Sequence, residues 1–239
     1  MELEVLNEKN ALITGATGGI GKEIAHELAA RGCNLFITGR DQKLLGQLQA
    51  DLSNYGVSVY AESVDLTVDE EIRNLIDKVG HCLGNIDILI NCAGAFPVKN
   101  IFDSSLEDFD SCYAVNIRAP FILTKHFSEA MVNNQWGRIV NIGSSSSYSG
   151  FKETSIYCSS KHALLGLSRS LSDELRQHNV RVFCFSPGSV KTEMGRKVKN
   201  QDFDTFIEPY EIAKYIAFSI SFDDEMIVDE IRMNRVVMR

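Results

Sequence analysis

Short runs of β-branched and apolar residues alternate with longer stretches of helical period along most of this 239-residue sequence, and that alternation restricts the fold more than any other feature. Strands are predicted at residues 10–14, 34–39, 57–63, 86–92, 138–144 and 180–186, several of them apolar almost throughout. A strand that is apolar on both faces must be covered on both, which is the condition of a parallel sheet between two helical layers. Helices are predicted at 19–31, 41–54, 68–83, 106–134 and 155–177; in the first, Ile24, Ala25, Leu28 and Ala29 form one stripe. Asp69 and Glu70 suit the start of the third by complementing its dipole. After Pro187-Gly188 the alternation stops, and a last helix at 209–221 precedes an edge strand at 230–234. The expectation is an α/β fold with a doubly wound, mostly parallel sheet. With only four prolines and no linker, residues 1–239 read as a single domain. Residues 189–208 read as a short segment over the substrate.

Composition narrows the partners. A net charge of -8 opposes wholesale binding to nucleic acid or to an anionic membrane surface. The acidic start lacks the apolar core of a signal peptide, and no apolar run reaches membrane-spanning length, so a cytoplasmic protein is expected. Cys33, Cys82, Cys92, Cys112, Cys158 and Cys184 are widely spaced, without a C-x-x-C pair or a histidine cluster. They read as free thiols packed as small hydrophobes, and no metal site is expected.

Chemistry is concentrated in three places. Thr14-Gly15-Ala16-Thr17-Gly18-Gly19-Ile20-Gly21 follows the first strand and opens the first helix. Glycines there let the backbone turn sharply and approach a pyrophosphate, while the helix N-terminus offers N–H donors and positive potential. A turn without a ligand is the bland alternative, which the strand-turn-helix context disfavours. Tyr157 and Lys161 lie four residues apart on a predicted helix and share a face. A phenol of pKa about 10 is a poor acid-base group at neutral pH, and a neighbouring ammonium is expected to lower it. Alone, such a pair is usually coincidence. Ser144, however, closes the strand 138–144 and should project from the carboxyl edge of the sheet, where a hydroxyl can donate to a developing oxyanion. Its followers Ser145, Ser146 and Ser147 read as a polar loop.

Together these pieces resemble the short-chain dehydrogenase/reductase family, with its Rossmann-type fold, over nearly the whole chain. The T-G-x-x-x-G-x-G turn at 14–21 carries the likeness, as do Asp65 after the third strand and Asn91-Cys92-Ala93-Gly94 where the family has N-N-A-G. Asn116, the set Ser144, Tyr157 and Lys161, and Pro187-Gly188 with Thr192 complete it. The resemblance implies an enzyme that moves a hydride between a nicotinamide dinucleotide and a carbonyl or alcohol. Ser144 would hold the substrate oxygen and Tyr157 exchange its proton. Lys161 would bind the nicotinamide ribose and, together with the positive oxidised nicotinamide, depress the tyrosine, and Asn116 would help a water-linked relay. The implied dinucleotide contacts are Gly15, Thr17, Gly19, Ile20, Gly21, Asp65, Leu66, Asn91, Ala93, Gly94, Tyr157, Lys161, Pro187, Gly188, Val190 and Thr192. Asp65 would lie near adenine, Asn91 beside the adenosine ribose, and Thr192 near the carboxamide or phosphates. A homodimer or homotetramer is implied as well.

The tip of the second strand selects the dinucleotide. Enzymes that use NAD usually place a carboxylate there; this sequence has Gly39 followed by Arg40, whose guanidinium suits a 2′-phosphate, so NADP(H) is favoured over NAD(H). Asp41 reads as the next helix's N-cap. Two departures from the family stand out: Cys92 for the second asparagine of N-N-A-G, and residues 226–235, which lack the family's common D-G-G ending. Lys191, Arg196, Lys197 and Lys199 after Pro187-Gly188 suit an acidic or carrier-bound substrate, or form a solvated lid. Phe96, Tyr148 and Phe151 are candidate apolar walls of the pocket. The leading expectation is an NADPH-dependent ketone or 3-oxoacyl-type reductase. An NAD-dependent alcohol dehydrogenase is the nearest alternative, and a dinucleotide-binding sensor without turnover the alternative of a different class.

Overall fold

The computed structural model describes residues 5–236; residues 1–4 and 237–239, the two ends of the expected domain, lie outside the described residues. Seven strands form one sheet in the order β3-β2-β1-β4-β5-β6-β7. They are β1 (Asn10–Thr14), β2 (Asn34–Gly39), β3 (Val59–Ser63), β4 (Ile88–Asn91), β5 (Gly137–Ile142), β6 (Val180–Pro187) and β7 (Glu230–Met233). Every pairing is parallel, the predicted edge strand β7 included. The chain runs from β1 outward to β3 and then crosses back to β4 on the other side of β1. The crevice opened there at the carboxyl ends of the strands is where this topology places ligands.

Helices α1 (Gly19–Ala30), α2 (Gln42–Ser53) and α7 (Pro209–Ile220) bury Ile24, Leu28, Leu45, Leu48, Ile212 and Ile216 against one face of the sheet. On the other face α3 (Asp69–Leu83) and α5 (Ala119–Asn133) bury Ile72, Leu75, Leu123 and Phe127, with Leu171 of α6 (Ser155–Leu175) beside them. Double coverage accounts for the uninterrupted burial of β5 and β6. Asp41 caps α2 as expected, accepting from the N–H groups of Lys43 and Leu44 at 2.9 and 3.0 Å. Among the described residues, no helix is long and apolar enough to cross a membrane.

Three predicted elements end or break differently, each for a local reason. β3 starts at Val59 rather than 57, because the Asn34 side chain takes the Ser58 N–H at 3.1 Å in place of strand pairing. β4 stops at Asn91 because the Thr14 hydroxyl accepts from the N–H groups of Cys92 and Ala93 at 3.1 and 3.2 Å. The single helix predicted over 106–134 is α4 (Leu106–Tyr113), a π-helical turn over Ala114–Arg118, and α5. Pro120 explains the break: without an N–H it cannot donate to the Asn116 carbonyl, and the chain widens by one residue there.

At the opposite edge from the crevice, Arg138 is fully buried and binds the loosened end of α7. Its Nε donates to the Ile220 carbonyl at 3.1 Å, and one Nη reaches the Phe222 carbonyl at 3.0 Å and Asp223 Oδ1 at 2.6 Å. Burial pushes this guanidinium down to about 10, against the pull of the Asp223 carboxylate.

Candidate active site

The crevice holds a cavity of about 810 Å³, within the range of small-molecule sites. One end is built by the glycine turn. Gly15 has φ of 66°, in the left-handed region, and a Cβ there would lie 2.6 Å from the Ala93 Cα, so only glycine fits between β1 and the exit of β4. No side chain caps α1, whose N-cap residue is Gly18. Its first N–H groups, at Gly19, Ile20 and Gly21, therefore border the cavity without a side-chain partner. Across the gap, a Cβ on Gly19 would lie 2.5 Å from Thr192 Cγ2. Bare backbone at a helix N-terminus, facing a hydroxyl-bearing loop, suits a pyrophosphate in both charge and space.

The other end carries the expected set. Ser144, Tyr157 and Lys161 all line the cavity, although Ser144 lies beyond β5, which ends at Ile142, rather than in the strand. Ser144 instead N-caps a single 3-10 turn (Ser145–Ser147), accepting from the Ser146 N–H at 3.1 Å. Ser146 and Ser147 are thus buried turn residues, not the polar loop expected. Tyr157 stands in the first turn of α6, with the Phe96 ring edge-on at 4.5 Å between centroids. Lys161 Nζ lies 5.7 Å from the Tyr157 ring centroid and donates to the Ile142 carbonyl at 2.7 Å.

Burial dominates the phenol: it pushes Tyr157 up to about 12, with the Ser144 hydroxyl pulling the other way. Burial also lowers Lys161. The pair is therefore a buried phenol that keeps its proton beside a lysine held on a backbone carbonyl.

Asn116 is buried in the π-helical turn. Its carboxamide holds the chain leaving β4: Oδ1 accepts from the Ala95 N–H at 2.9 Å, while Nδ2 donates to the Ala95 carbonyl at 3.0 Å and to Ser160 Oγ at 2.9 Å. The side chain therefore ties the Gly94-Ala95 turn to α6, and it is not a wall of the cavity. Asn91, expected beside the adenosine ribose, is built into the sheet, donating to Asn141 Oδ1 at 2.8 Å, and Asn141 in turn donates to Ser168 at 2.9 Å.

Of the remaining expected contacts, Gly15, Thr17, Gly19, Ile20, Gly21, Gly94, Pro187, Gly188, Val190 and Thr192 all line the cavity. Arg40, Asp65, Leu66 and Ala93 do not. Arg40 is exposed at the tip of β2, and Leu66 is buried. Asp65 accepts from the Thr67 N–H and hydroxyl at 2.9 and 2.8 Å. Those two bonds, with Arg40 adding to them, hold its carboxyl below the usual range. Phe96 and Phe151 are walls as expected, whereas Tyr148 turns to Glu230 of β7, donating to Oε1 at 2.9 Å. Arg169 of α6 donates to the same carboxylate at 2.7 and 2.9 Å.

Cys92, read from the sequence only as a departure from N-N-A-G and a packed thiol, forms part of the wall; burial pushes its thiol up to about 12, so it packs as an uncharged group. The sequence reading missed Met194, Val198 and Gln201, since nothing in an irregular segment tells which side chains turn inward.

Comparison with known proteins agrees with this geometry. The short chain dehydrogenase family description matches residues 9–202. A 3-oxoacyl-[acyl-carrier-protein] reductase of Aquifex aeolicus is 32% identical over 231 residues, covering 92% of this chain and 93% of that protein. A metagenomic short-chain oxidoreductase solved in complex with NADP superposes with a TM-score of 0.86 at 29% identity, covering 98% of this chain and 99% of that one. An alcohol dehydrogenase of the archaeon Thermococcus sibiricus, complexed with 5-hydroxy-NADP, gives 0.89 at 27% identity, with 98% and 99% covered. A matched family description over most of the chain, on a glycine cradle that faces a serine, a tyrosine and a lysine, makes this protein a member of the short-chain dehydrogenase family and an NAD(P)-dependent oxidoreductase.

Proposed function

We propose that the protein reduces a ketone, of the 3-oxoacyl type, with NADPH. The observation that carries this reading is that Ser144, Tyr157 and Lys161 line the same cavity as the glycine turn, with the Tyr157 phenol packed against Phe96 and protonated at neutral pH. When bound at the glycine cradle, the dinucleotide supplies the hydride. The residues of the chain do the rest. Ser144 donates to the substrate oxygen and orients the carbonyl. Tyr157 delivers its proton to that oxygen as negative charge develops on it. Lys161, anchored on the Ile142 carbonyl, holds a positive charge near the phenol and steadies it once the proton has left. Asn116 positions the Gly94-Ala95 turn against the cradle. Phe96, edge-on to Tyr157, gives the reacting oxygen an apolar wall.

For the dinucleotide, exposed Arg40 with no carboxylate at the strand tip favours a 2′-phosphate over a free ribose hydroxyl. The Aquifex aeolicus relative is a reductase of carrier-bound 3-oxoacyl groups, which supports an acyl ketone as substrate.

The test is NADPH consumption at 340 nm with acetoacetyl thioesters beside simple ketones, for the wild type and Tyr157→Phe. Turnover by the wild type that Tyr157→Phe loses by about 10³-fold or more is expected. No turnover with any ketone, or a Tyr157→Phe variant that keeps its rate, overturns the reading. In parallel, fluorescence titration should show NADPH bound more tightly than NADH, and Arg40→Ala should weaken NADPH by about tenfold. Equal affinities would remove the NADP assignment alone.

A further inference from the structure

Residues 189–208 leave the sheet and return to it as a closed loop. The Lys191 N–H donates to the Ile207 carbonyl at 2.9 Å and the Ile207 N–H to the Ser189 carbonyl at 3.0 Å. Lys191 also pairs with Glu208 at 2.5 Å. Such a loop has a fixed base and a tip whose pose depends on what it touches. Its own regular structure amounts to two single 3-10 turns, Gly195–Lys197 and Phe203–Thr205. Met194, Val198 and Gln201, between or beside those turns, wall the catalytic cavity.

Among the described residues, two sets of polar contacts reach the tip from outside. Across the mouth, Lys199 pairs with Glu153 at 3.0 Å, but both side chains are well exposed, and such a pair holds weakly. From behind comes Arg235, two residues past β7. One Nη donates to Thr205 Oγ1 at 2.9 Å and the other to Gln201 Oε1 at 2.8 Å, and the guanidinium carbon lies 5.0 Å from the Phe206 ring centroid. Gln201 Oε1 also accepts from Ser189 Oγ at 2.8 Å, so the residue that Arg235 grips is joined to the base of the loop. Arg235 is itself on a fixed support, because the Met233 carbonyl accepts from the Gly188 N–H at 2.8 Å. A planar fork that satisfies two oxygens at once cannot be replaced by the single ammonium of lysine.

We propose that Arg235 is a positioning residue that latches the loop over the substrate cavity. It thereby sets how tightly the substrate end of the site closes. It touches neither the reacting atoms nor the dinucleotide cradle. Its loss frees the tip while the base stays paired, so the cavity wall formed by Val198 and Gln201 becomes mobile. The kinetic consequence rests on the reductase reading; the structural one does not.

The test uses the full chain with Arg235→Ala and Arg235→Lys, and trypsin as the probe, because Arg196, Lys197 and Lys199 lie in the tip. Limited digestion should cut Arg235→Ala within residues 196–199 at least about tenfold faster than wild type, with Arg235→Lys between them. Melting of the whole protein should barely move. In turnover, KM for the ketone should rise about fivefold or more with kcat within about twofold. Cleavage at the wild-type rate in Arg235→Ala overturns the latch, whatever the activity shows. Faster cleavage with no detectable turnover in the wild type keeps the latch and rejects the reductase instead. A rise in cleavage at sites throughout the chain, with a lower melting temperature, would show general destabilisation and also overturn it.

Discussion

Tyr157 should resist ionisation in the protein by itself and yield to it when an oxidised dinucleotide binds. Raising the phenol from 10 to about 12 costs the phenolate about 2.7 kcal/mol, at about 1.36 kcal/mol for each pH unit. At pH 8 the ionised fraction would then be on the order of 10⁻⁴. A unit positive charge at contact distance is worth about 4 kcal/mol at an effective dielectric constant near 20, or roughly three pH units. Binding the oxidised, cationic nicotinamide should thus bring the phenol from about 12 to roughly 9, whereas the neutral reduced form should leave it high. The sign follows directly. Reduction needs the protonated phenol, which the neutral reduced dinucleotide leaves near 12, and should hold its rate from neutral pH well past about 9, while alcohol oxidation needs the phenolate and should climb from neutral pH up to about 9. The assay is the ultraviolet tyrosinate difference spectrum of wild type minus Tyr157→Phe, titrated with and without NADP⁺. A Tyr157 ionisation below pH 10 in the protein alone would refute the claim that burial outweighs Lys161. An ionisation that NADP⁺ leaves in place would refute the electrostatic account of the site.

Two further outcomes are expected. Arg138→Leu removes the donor of the Ile220 carbonyl, whereas Asp223 keeps Trp136 and Asn179 and the Phe222 carbonyl keeps Arg181; it should cost about 2 kcal/mol, a fall in Tm of roughly 4–8 °C by differential scanning calorimetry, with little change in KM. Gly15→Ala meets both the left-handed backbone and the Ala93 Cα at 2.6 Å, and isothermal titration should find dinucleotide affinity reduced by about 10²-fold or more.

Much of this was legible beforehand, because the rules that set it are local. The strand runs are apolar where two helical layers cover them, and Asp41 caps α2 as its type and position require. The glycine turn, Ser144, Tyr157 and Lys161 were readable as a set, and the fold brings them to one cavity. The failures are tertiary. Nothing in the helical period over 106–134 announces that Pro120 and the Asn116 carboxamide together open a π-helical turn, since the partners of Asn116 at Ala95 and Ser160 are remote in sequence. The burial of Tyr157 was not legible either, because spacing reports distance along a helix and says nothing of what covers it. Tyr148 was misplaced for a similar reason: its partner Glu230 lies 82 residues away.

That bond between Tyr148 and Glu230 makes one carboxylate a joint between two walls of the site. Glu230 also accepts from Arg169 of α6, the helix that bears Tyr157 and Lys161, so the sheet's edge strand joins the turn after Ser144 to that helix. A change at this remote edge would therefore reach both sides of the cavity at once.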